Sequence, residues 1–231
     1  VQLRHTVDPT LLFSHYWYRS GINEAMRAEL TDIVKQAAKL VRVKPREVVL
    51  DVGANDGTLL SLYPALGHTP FRIGVEPALN LHAELERHTD LLWGGFFPGD
   101  GSLVDLYKGQ VRILSSIAMF YDLHDPGEFV RAVSTVLARD GVWVVQFQDL
   151  YQMTQATAFD NICGEHLVYY SLASFERLIE PYGLRVVHAE RRAINGGSYR
   201  LIVRHTTPFS AATQNRPFDA SGFFSPANCL V

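Results

Sequence analysis

The sequence predicts an α/β protein with a doubly wound, mostly parallel sheet that ends in one antiparallel strand. Short apolar runs alternate with segments of helical periodicity, which is typical of parallel strands joined by right-handed helical crossovers. The first apolar run ends in an acid and a glycine-containing turn. The last two runs, residues 184–192 and 198–205, flank an Asn-Gly-Gly turn signal that predicts a closing antiparallel hairpin.

Five earlier runs are predicted to be buried parallel strands, because each is short, apolar and bounded by turn residues. They lie at residues 48–51, 71–76, 91–97, 111–117 and 141–148. Apolar residues recur at helical spacing in the connecting segments, which predicts helices at residues 24–43, 58–66, 78–88, 127–138 and 172–182.

The turn after the first strand is the main ligand-binding candidate. Asp51 is followed by Gly53 and Gly57, whose missing side chains permit backbone conformations and close approaches that other residues resist. Asn55 stands where a dinucleotide fingerprint needs glycine, and the Gly-Lys-Ser/Thr of a P-loop is absent. Asp51 therefore favours a cationic or hydrogen-bond-donating ligand. Glu76 ends the second strand, where it is either placed for ribose hydroxyls or is an ordinary strand-end carboxylate.

Composition excludes several classes of function. The 231 residues are 47% hydrophobic and 19% charged with a net charge of −3, so no basic field favours nucleic acid. Cys163 and Cys229 cannot form a disulfide framework or complete a four-ligand zinc site. No run of about 18 apolar residues predicts a membrane span. Without a secretion signal as well, a soluble cytoplasmic protein is expected.

The chain divides into three predicted parts. Residues 1–43 form an N-terminal helical cap segment, and residues 44–205 form the ligand-binding domain. Residues 206–231 carry Pro, Ser, Asn and Gly without periodicity and are expected to be an irregular C-terminal tail.

A dense group of reactive side chains follows the fifth strand. Glu165, His166, Tyr169 and Tyr170 lie within six residues. Histidine titrates near neutral pH and suits a general base, while a neighbouring carboxylate or phenol can orient it or stabilise an enolate. The alternatives are a structural Glu-His pair and core tyrosines. Cys163 and His166 could also be zinc ligands, but no second ligand pair supports them, and no metal is predicted.

The Asp51 turn resembles the first motif of class I S-adenosylmethionine-dependent methyltransferases, whose ligand carries an ammonium and a sulfonium. Six motifs in order resemble the nucleotide-sugar C-methyltransferases of deoxysugar biosynthesis. They are residues 18–23 (Tyr-Arg-Ser-Gly-Ile-Asn), 51–57 (Asp-Val-Gly-Ala-Asn-Asp-Gly), 74–77 (Gly-Val-Glu-Pro), 119–126 (Met-Phe-Tyr-Asp-Leu-His-Asp-Pro), 165–171 (Glu-His-Leu-Val-Tyr-Tyr-Ser) and 195–198 (Asn-Gly-Gly-Ser).

This resemblance implies a Rossmann-like class I methyltransferase fold, S-adenosylmethionine as cofactor and S-adenosylhomocysteine as its product. It also implies methylation of a carbon next to a ketone on a small-molecule substrate, a nucleoside-diphosphate sugar. His166 would be the base, with Glu165 and Tyr18 near the reacting sugar. The cofactor candidates are Asp51, Gly53, Asn55, Gly57, Glu76 and Ser116, and the substrate candidates are Tyr169, Tyr170, Asn195 and Ser198.

Three other functions stay open. The domain could methylate a different small acceptor at oxygen, or bind the cofactor without catalysis; a nicotinamide dehydrogenase is disfavoured by Asn55. Members of the nucleotide-sugar C-methyltransferase family also carry a cysteine-rich zinc module before the first motif and a further Rossmann-like domain after the hairpin. The sequence shows neither, so a fragment or a minimal homologue is expected.

Overall fold

Seven strands form one sheet in the computed structural model, which describes Leu3 and residues 6–206. The strands are β1 Val48–Val52, β2 Phe71–Glu76, β3 Leu91–Gly94, β4 Val111–Ile117, β5 Leu137–Gln148, β6 Leu184–Arg192 and β7 Ser198–His205. Their order across the sheet is β3-β2-β1-β4-β5-β7-β6. β7 pairs antiparallel with both of its neighbours, whereas the pairs among β1 to β5 are parallel.

Eight α-helices connect and cover the strands within this described part. They are α1 Pro9–Phe13, α2 Glu24–Leu40, α3 Thr58–Ala65, α4 His82–Leu85, α5 Ser102–Leu106, α6 Pro126–Val136, α7 Leu150–Gln155 and α8 Leu172–Ile179. α2 and α3 share one buried cluster with the sheet, and α6 and α8 share the other. Helices therefore cover both faces, and the predicted doubly wound class is confirmed.

The two faces of the sheet pack against cores of different composition. On the α6 and α8 face, the fully buried Phe120 ring contacts five aromatic side chains at centroid distances of 5.2–6.0 Å. These are Phe129, Trp143, Phe147, Tyr170 and Phe175. The α2 face is aliphatic instead, with residues such as Leu30, Val34 and Leu60 against the sheet.

Several element boundaries differ from the sequence predictions. The helix predicted at residues 24–43 ends at Leu40, because Val41 has an extended backbone. The segment predicted as one helix at 78–88 is a 3-10 turn, Leu79–Leu81, followed by the single turn of α4. The strand predicted at 91–97 stops at Gly94, since Gly95 has φ +139°, outside the β region. Of the tail predicted from residue 206, residues 207–231 lie outside the described residues.

A buried ionic cluster attaches α2 to the closing hairpin. Arg200 on β7 is fully buried and donates hydrogen bonds to Glu29 and Asp32 of α2, both at 2.7 Å, and to Gln146 of β5 at 3.0 Å. Glu29 is itself 7% exposed. Removing one partner from such a cluster leaves buried charge uncompensated, and this costs more than the loss of an exposed pair.

Replacing Arg200 with methionine is expected to lower the free energy of unfolding by about 3 kcal/mol. Arg72→Met is the matched control, because Arg72 pairs with Asp90 at the surface and such pairs contribute about 0–1 kcal/mol. Urea unfolding of both variants measures the difference. Equal midpoint shifts in the two variants would contradict a stabilising role for the buried cluster.

Candidate active site

A cavity of about 620 Å³ opens at the carboxyl ends of β1, β2 and β4. β1 lies between β2 and β4 in the sheet, so the chain order reverses direction beside it. Ligands of open α/β sheets bind at such a switch point. Among the described residues that line the cavity, none is a lysine or arginine, whereas Asp51, Glu76 and Asp122 all contribute carboxylates. The cavity therefore suits a cationic ligand better than an anionic one.

Asp51 places a buried carboxylate on the cavity wall. It precedes the last residue of β1, is 3% exposed and accepts a 2.6 Å hydrogen bond from the Ser115 hydroxyl. Burial raises the pKa of Asp51 to about 7; the Ser115 hydrogen bond opposes this rise and the nearby Glu76 charge adds to it. A cationic group in the cavity would stabilise the ionised form of Asp51.

Binding of a cationic ligand at Asp51 is expected to depend on pH. The carboxylate must be ionised to pair with the cation, and its pKa in the free protein is about 7. Affinity should fall by up to about tenfold for each pH unit below 7 and become constant above it, because binding then releases no proton. The free energy of unfolding of the unliganded protein should instead fall as the pH rises. The raised pKa of Asp51 favours the folded state at low pH, and that contribution is lost as the pH rises towards 7.

Calorimetric titration with S-adenosylmethionine, the cofactor that the resemblance implies, measures the dependence across this pH range. The Asp51→Asn variant, which has no titrating group at this position, is the control and should show a flat profile. An affinity that does not change with pH in the unmodified protein would contradict direct pairing with Asp51.

The turn after β1 is held in a conformation that explains its glycine and asparagine. Gly53 has φ +73°, and a side chain there would lie 3.1 Å from Met119. Asn55 also has positive φ, +52°, which asparagine tolerates better than most residues. Its side chain accepts from the Ser20 N–H at 2.9 Å and donates to the Tyr18 carbonyl at 3.0 Å. Asn55 therefore holds the chain segment that covers the cavity.

That N-terminal covering segment, residues 6–23, forms one wall of the cavity. Its Tyr16 and Tyr18 line the cavity. Asn80, beyond β2, accepts a hydrogen bond from the Tyr16 N–H at 3.0 Å and donates one to the Tyr16 carbonyl at 2.8 Å. The backbone N–H of Gly21 donates to Asp56 at 2.8 Å. These bonds fix the segment against the carboxyl end of the sheet.

Glu76 is oriented by backbone donors at the end of β2. One carboxylate oxygen accepts the Asn55 N–H at 2.8 Å and the other accepts the Ala78 N–H at 2.9 Å. Burial raises the pKa of Glu76, while these two N–H groups and the nearby His82 oppose the rise. The side chain lines the cavity. A carboxylate held in this way can accept further hydrogen bonds from ligand hydroxyls.

His166 enters the same cavity from the loop that follows α7. Its Nδ1 lies 2.8 Å from the Asn161 carbonyl; since a carbonyl only accepts, Nδ1 carries the proton and Nε2 keeps the lone pair. Burial lowers the pKa of His166, which the Asn161 carbonyl and Glu165 partly offset. The Tyr121 ring packs on the imidazole at 4.3 Å between centroids. A neutral imidazole with one free nitrogen can act as a base.

Glu165 lies behind the cavity wall instead of on it. Its carboxylate accepts a 3.4 Å hydrogen bond from the hydroxyl of Tyr16, which does line the cavity. The pKa of the Tyr16 phenol is raised by burial and then by the charges of Glu165 and Asp122. Glu165 can therefore position Tyr16 and influence the charge of the site without itself forming the wall.

Several predicted site residues lie outside the described cavity. Ser116 is fully buried and accepts from the indole N–H of Trp143, so its predicted cofactor contact is replaced by a contact in the core. Gly57 begins α3, and a side chain there would meet His88 and Leu85. Tyr170 belongs to the aromatic core described above.

On the predicted substrate side, only Asn195 lines the cavity. Ser198 is buried and donates to the Ile194 carbonyl at 3.0 Å. Tyr169 is 7% exposed, and its hydroxyl donates to the Asn161 carbonyl at 3.5 Å, the same oxygen that holds His166. Tyr169 therefore supports the loop of the base instead of presenting its phenol to the cavity.

The structure adds cavity residues that the sequence reasoning did not single out. Gln148 ends β5 and donates to the Asn161 side chain at 2.6 Å, which fixes the loop that orients His166. Tyr121 and Asp122 follow β4. Both lie inside the motif at residues 119–126, and their position after a strand end was the signal that could have identified them.

Two features are absent from the described part of the chain, which is Leu3 and residues 6–206. No group of three or more His, Cys, Asp or Glu side chains there could hold a metal ion. No helix in that part of the chain is both long and apolar enough to cross a membrane.

Comparison with known proteins decides the family. The sequence model of the methyltransferase domain family matches residues 22–189, which include the β1 turn, Glu76 and His166. This chain belongs to the methyltransferase domain family. The match confirms that the predicted ligand-binding domain is a methyltransferase domain. The predicted cofactor, S-adenosylmethionine, is the one that methyltransferases of this fold bind.

One curated relative of this methyltransferase domain is the C-methyltransferase NovU of Streptomyces niveus. The two are 31% identical over 216 residues, which cover 93% of this chain and 50% of the relative. The chain thus spans about half the length of that relative.

Solved structures support the class I methyltransferase fold. A protein of Pyrococcus horikoshii OT3 has a TM-score of 0.62 at 14% identity, covering 81% of this chain and 94% of its own. The magnesium protoporphyrin IX methyltransferase of Synechocystis PCC 6803, with bound S-adenosylhomocysteine, has a TM-score of 0.59 at 11% identity. The match covers 79% of this chain and 88% of that enzyme. The predicted fold class is confirmed at this level.

The cavity of the methyltransferase domain fits its cofactor. Asp51 offers a buried carboxylate that a ligand cation would compensate, and Glu76 offers an oriented acceptor for hydroxyl groups. The close approach of Met119 to Gly53 leaves space only because Gly53 has no side chain. No lysine or arginine among the described lining residues opposes a cationic ligand.

Proposed function

We propose that this domain methylates a carbon next to the ketone of a keto-deoxysugar that is linked to a nucleotide. The observation that carries the proposal is the imidazole of His166, with its proton on Nδ1 and a free Nε2, in the cavity that also contains Asp51 and Glu76. The relative named as a C-methyltransferase supports carbon as the methylated atom.

Each cofactor contact is assigned to a cavity residue. Asp51 would pair with the amino group of S-adenosylmethionine, Glu76 would accept from the ribose hydroxyls, and Gly53 would leave room for the ligand at the turn. When bound, the cofactor supplies an electrophilic methyl group on a positively charged sulfur. Asn55 contributes indirectly, by holding Tyr18 and Ser20 of the covering segment over the cavity.

His166 generates the nucleophile. Carbon next to a ketone becomes nucleophilic only after it loses a proton, and Nε2 of His166 accepts this proton while the Asn161 carbonyl holds Nδ1. The lowered pKa of His166 keeps the ring neutral, and therefore competent as a base, near neutral pH. Holding base and acceptor in one cavity supplies a large part of the rate.

The sugar is assigned to the part of the cavity between the covering segment and the loop of His166. Tyr16, Tyr18, Gln148 and Asn195 line this part with groups that can donate or accept hydrogen bonds. The described lining residues include no lysine or arginine for a diphosphate. The nucleotide is therefore assigned to a position outside the cavity, with only the sugar inside.

Solvent exchange at the acceptor carbon tests the proposal. The 231-residue protein is incubated in deuterium oxide with S-adenosylhomocysteine and a panel of nucleoside-diphosphate keto-deoxysugars, and deuterium in the recovered sugar is measured by mass spectrometry. We expect exchange next to the ketone of one panel member, followed by methylation at that carbon when S-adenosylmethionine replaces the product. Methyl transfer to oxygen without exchange, or cofactor binding without either reaction, would contradict carbon methylation.

A further inference from the structure

Asp122 presents an unexplained carboxylate beside the base. It ends the 3-10 turn Phe120–Asp122 and lines the cavity. Its Oδ1 is inaccessible to solvent and has no hydrogen-bond partner among the described residues. Buried polar atoms almost always have partners, so an unpartnered oxygen on a carboxyl group that lines a ligand cavity calls for a functional explanation.

Asp122 lies close to the loop that carries His166. Backbone N–H groups of Leu167 and Val168 both donate to the carbonyl of Tyr121, at 2.9 and 3.0 Å. The Tyr121 ring in turn packs on the imidazole of His166. These contacts fix the Asp122 turn against the loop of the base, so both groups border the same space.

The surroundings of Asp122 favour its neutral form. The groups coupled electrostatically to Asp122 are Tyr16 from the covering segment, Tyr121 from its own turn, and Glu165 and Tyr169 from the loop of the base. His166 lines the same cavity, and burial lowers its pKa, which favours the neutral ring. None of these carries a positive charge, and Glu165 can carry a negative one. Burial and the Glu165 charge together hold the pKa of Asp122 well above its usual range.

We propose that Asp122 is a further catalytic residue: as a neutral carboxylic acid, it donates a hydrogen bond to the carbonyl oxygen of the acceptor. This inference rests on the proposed function. When His166 Nε2 takes the α-proton, the C–H bonding pair forms a carbon–carbon double bond and the carbonyl π pair moves to oxygen. Asp122 keeps its proton and stabilises that oxygen. No lysine or arginine lies among the described lining residues, so the Asp122 acid adds a donor of the kind that stabilises a developing oxyanion.

Paired substitutions at Asp122 test the proposal. Asp122→Asn keeps a neutral donor of similar shape, whereas Asp122→Ala removes it. We expect the alanine variant to slow α-proton exchange about 100-fold, as the loss of one oxyanion donor does elsewhere, and the asparagine variant to slow it less than about tenfold. Asp105→Asn, on the exposed face of α5, is the control for the acid-to-amide change.

Cofactor titration shows whether each variant is folded, because no role in cofactor binding is assigned to Asp122. The proposal is wrong if Asp122→Asn is as slow as Asp122→Ala, which would mean that a charged carboxylate is needed. It is equally wrong if the alanine variant keeps the full rate.

Infrared spectroscopy provides a test that does not need turnover. At about pH 8, above the pKa expected for ordinary carboxylates, the unmodified protein should show the carbonyl stretch of a protonated carboxylic acid, and Asp122→Asn should lose it. If the carboxylic acid band were the same in Asp122→Asn as in the unmodified protein, the assignment of Asp122 as a neutral acid would be wrong. Absence of exchange with every acceptor would instead contradict the proposed function, and the infrared result would stand separately.

Discussion

Replacing His166 with asparagine is expected to slow carbon methylation about 1,000-fold. Asparagine can still donate to the Asn161 carbonyl that holds Nδ1, so the loop should keep its place, but it offers no basic nitrogen for the α-proton. General base catalysis contributes about 10² to 10⁴ in rate. The measurement is the single-turnover rate of methyl transfer together with deuterium exchange into the acceptor, and both should fall together.

The matched control is His68→Asn, which replaces a partly exposed histidine that does not line the cavity and should leave both rates unchanged. Affinity for S-adenosylhomocysteine should stay within about threefold in the His166 variant, because none of the proposed cofactor contacts involves the imidazole. Methyl transfer that survives in the His166 variant would indicate chemistry without a carbanion, such as transfer to oxygen.

Asp51→Asn is expected to weaken S-adenosylmethionine binding about 100-fold at neutral to mildly alkaline pH. The carboxylate is buried and shielded from salt, and loss of one member of a buried charge pair costs about 2–5 kcal/mol. A 100-fold change corresponds to about 2.7 kcal/mol. The unliganded variant should be at least as stable as the parent, because a neutral amide replaces a carboxylate whose ionised form burial disfavours.

Calorimetric titration and urea unfolding measure the two effects, with Asp105→Asn as the surface control. Weaker binding together with unchanged or higher stability would separate a ligand contact from a structural one. If affinity stayed within about threefold of the parent, the assignment of Asp51 to the amino group would be wrong.

Much of the sheet could be predicted from the sequence because its strands carry local signals. The predicted bounds of β2, β4, β6 and β7 agree with the structure. Continuous apolar runs define buried parallel strands, and a turn signal defines the hairpin. Where the local signal is weak, the predicted boundaries were wrong. The elements predicted at residues 78–88 and 91–97 are shorter in the structure, because their ends depend on backbone angles that the apolar pattern does not specify.

The residues of the candidate site were also only partly predictable from the sequence. Asp51, Glu76 and His166 were predicted as site residues from residue type and position relative to a strand or motif, and the structure places all three on the cavity wall. Ser116 was predicted to contact the cofactor, but its hydroxyl is buried against the Trp143 indole, whereas the adjacent Ser115 contacts Asp51. Neighbouring side chains of a strand point to opposite faces. Tyr169 and Tyr170 were both predicted to contact the substrate, but neither is among the residues that line the described cavity.

The sequence alone thus determined the class I methyltransferase fold, the cofactor and the identity of the candidate base. Only the tertiary structure decided which groups surround that base. Asp122, Tyr16 and Glu165 come from three separated segments, and burial together with their proximity raises the pKa of Asp122 and of Tyr16. Burial and the field of distant residues arise from folding, so no local pattern in the chain could have identified Asp122 as a neutral donor.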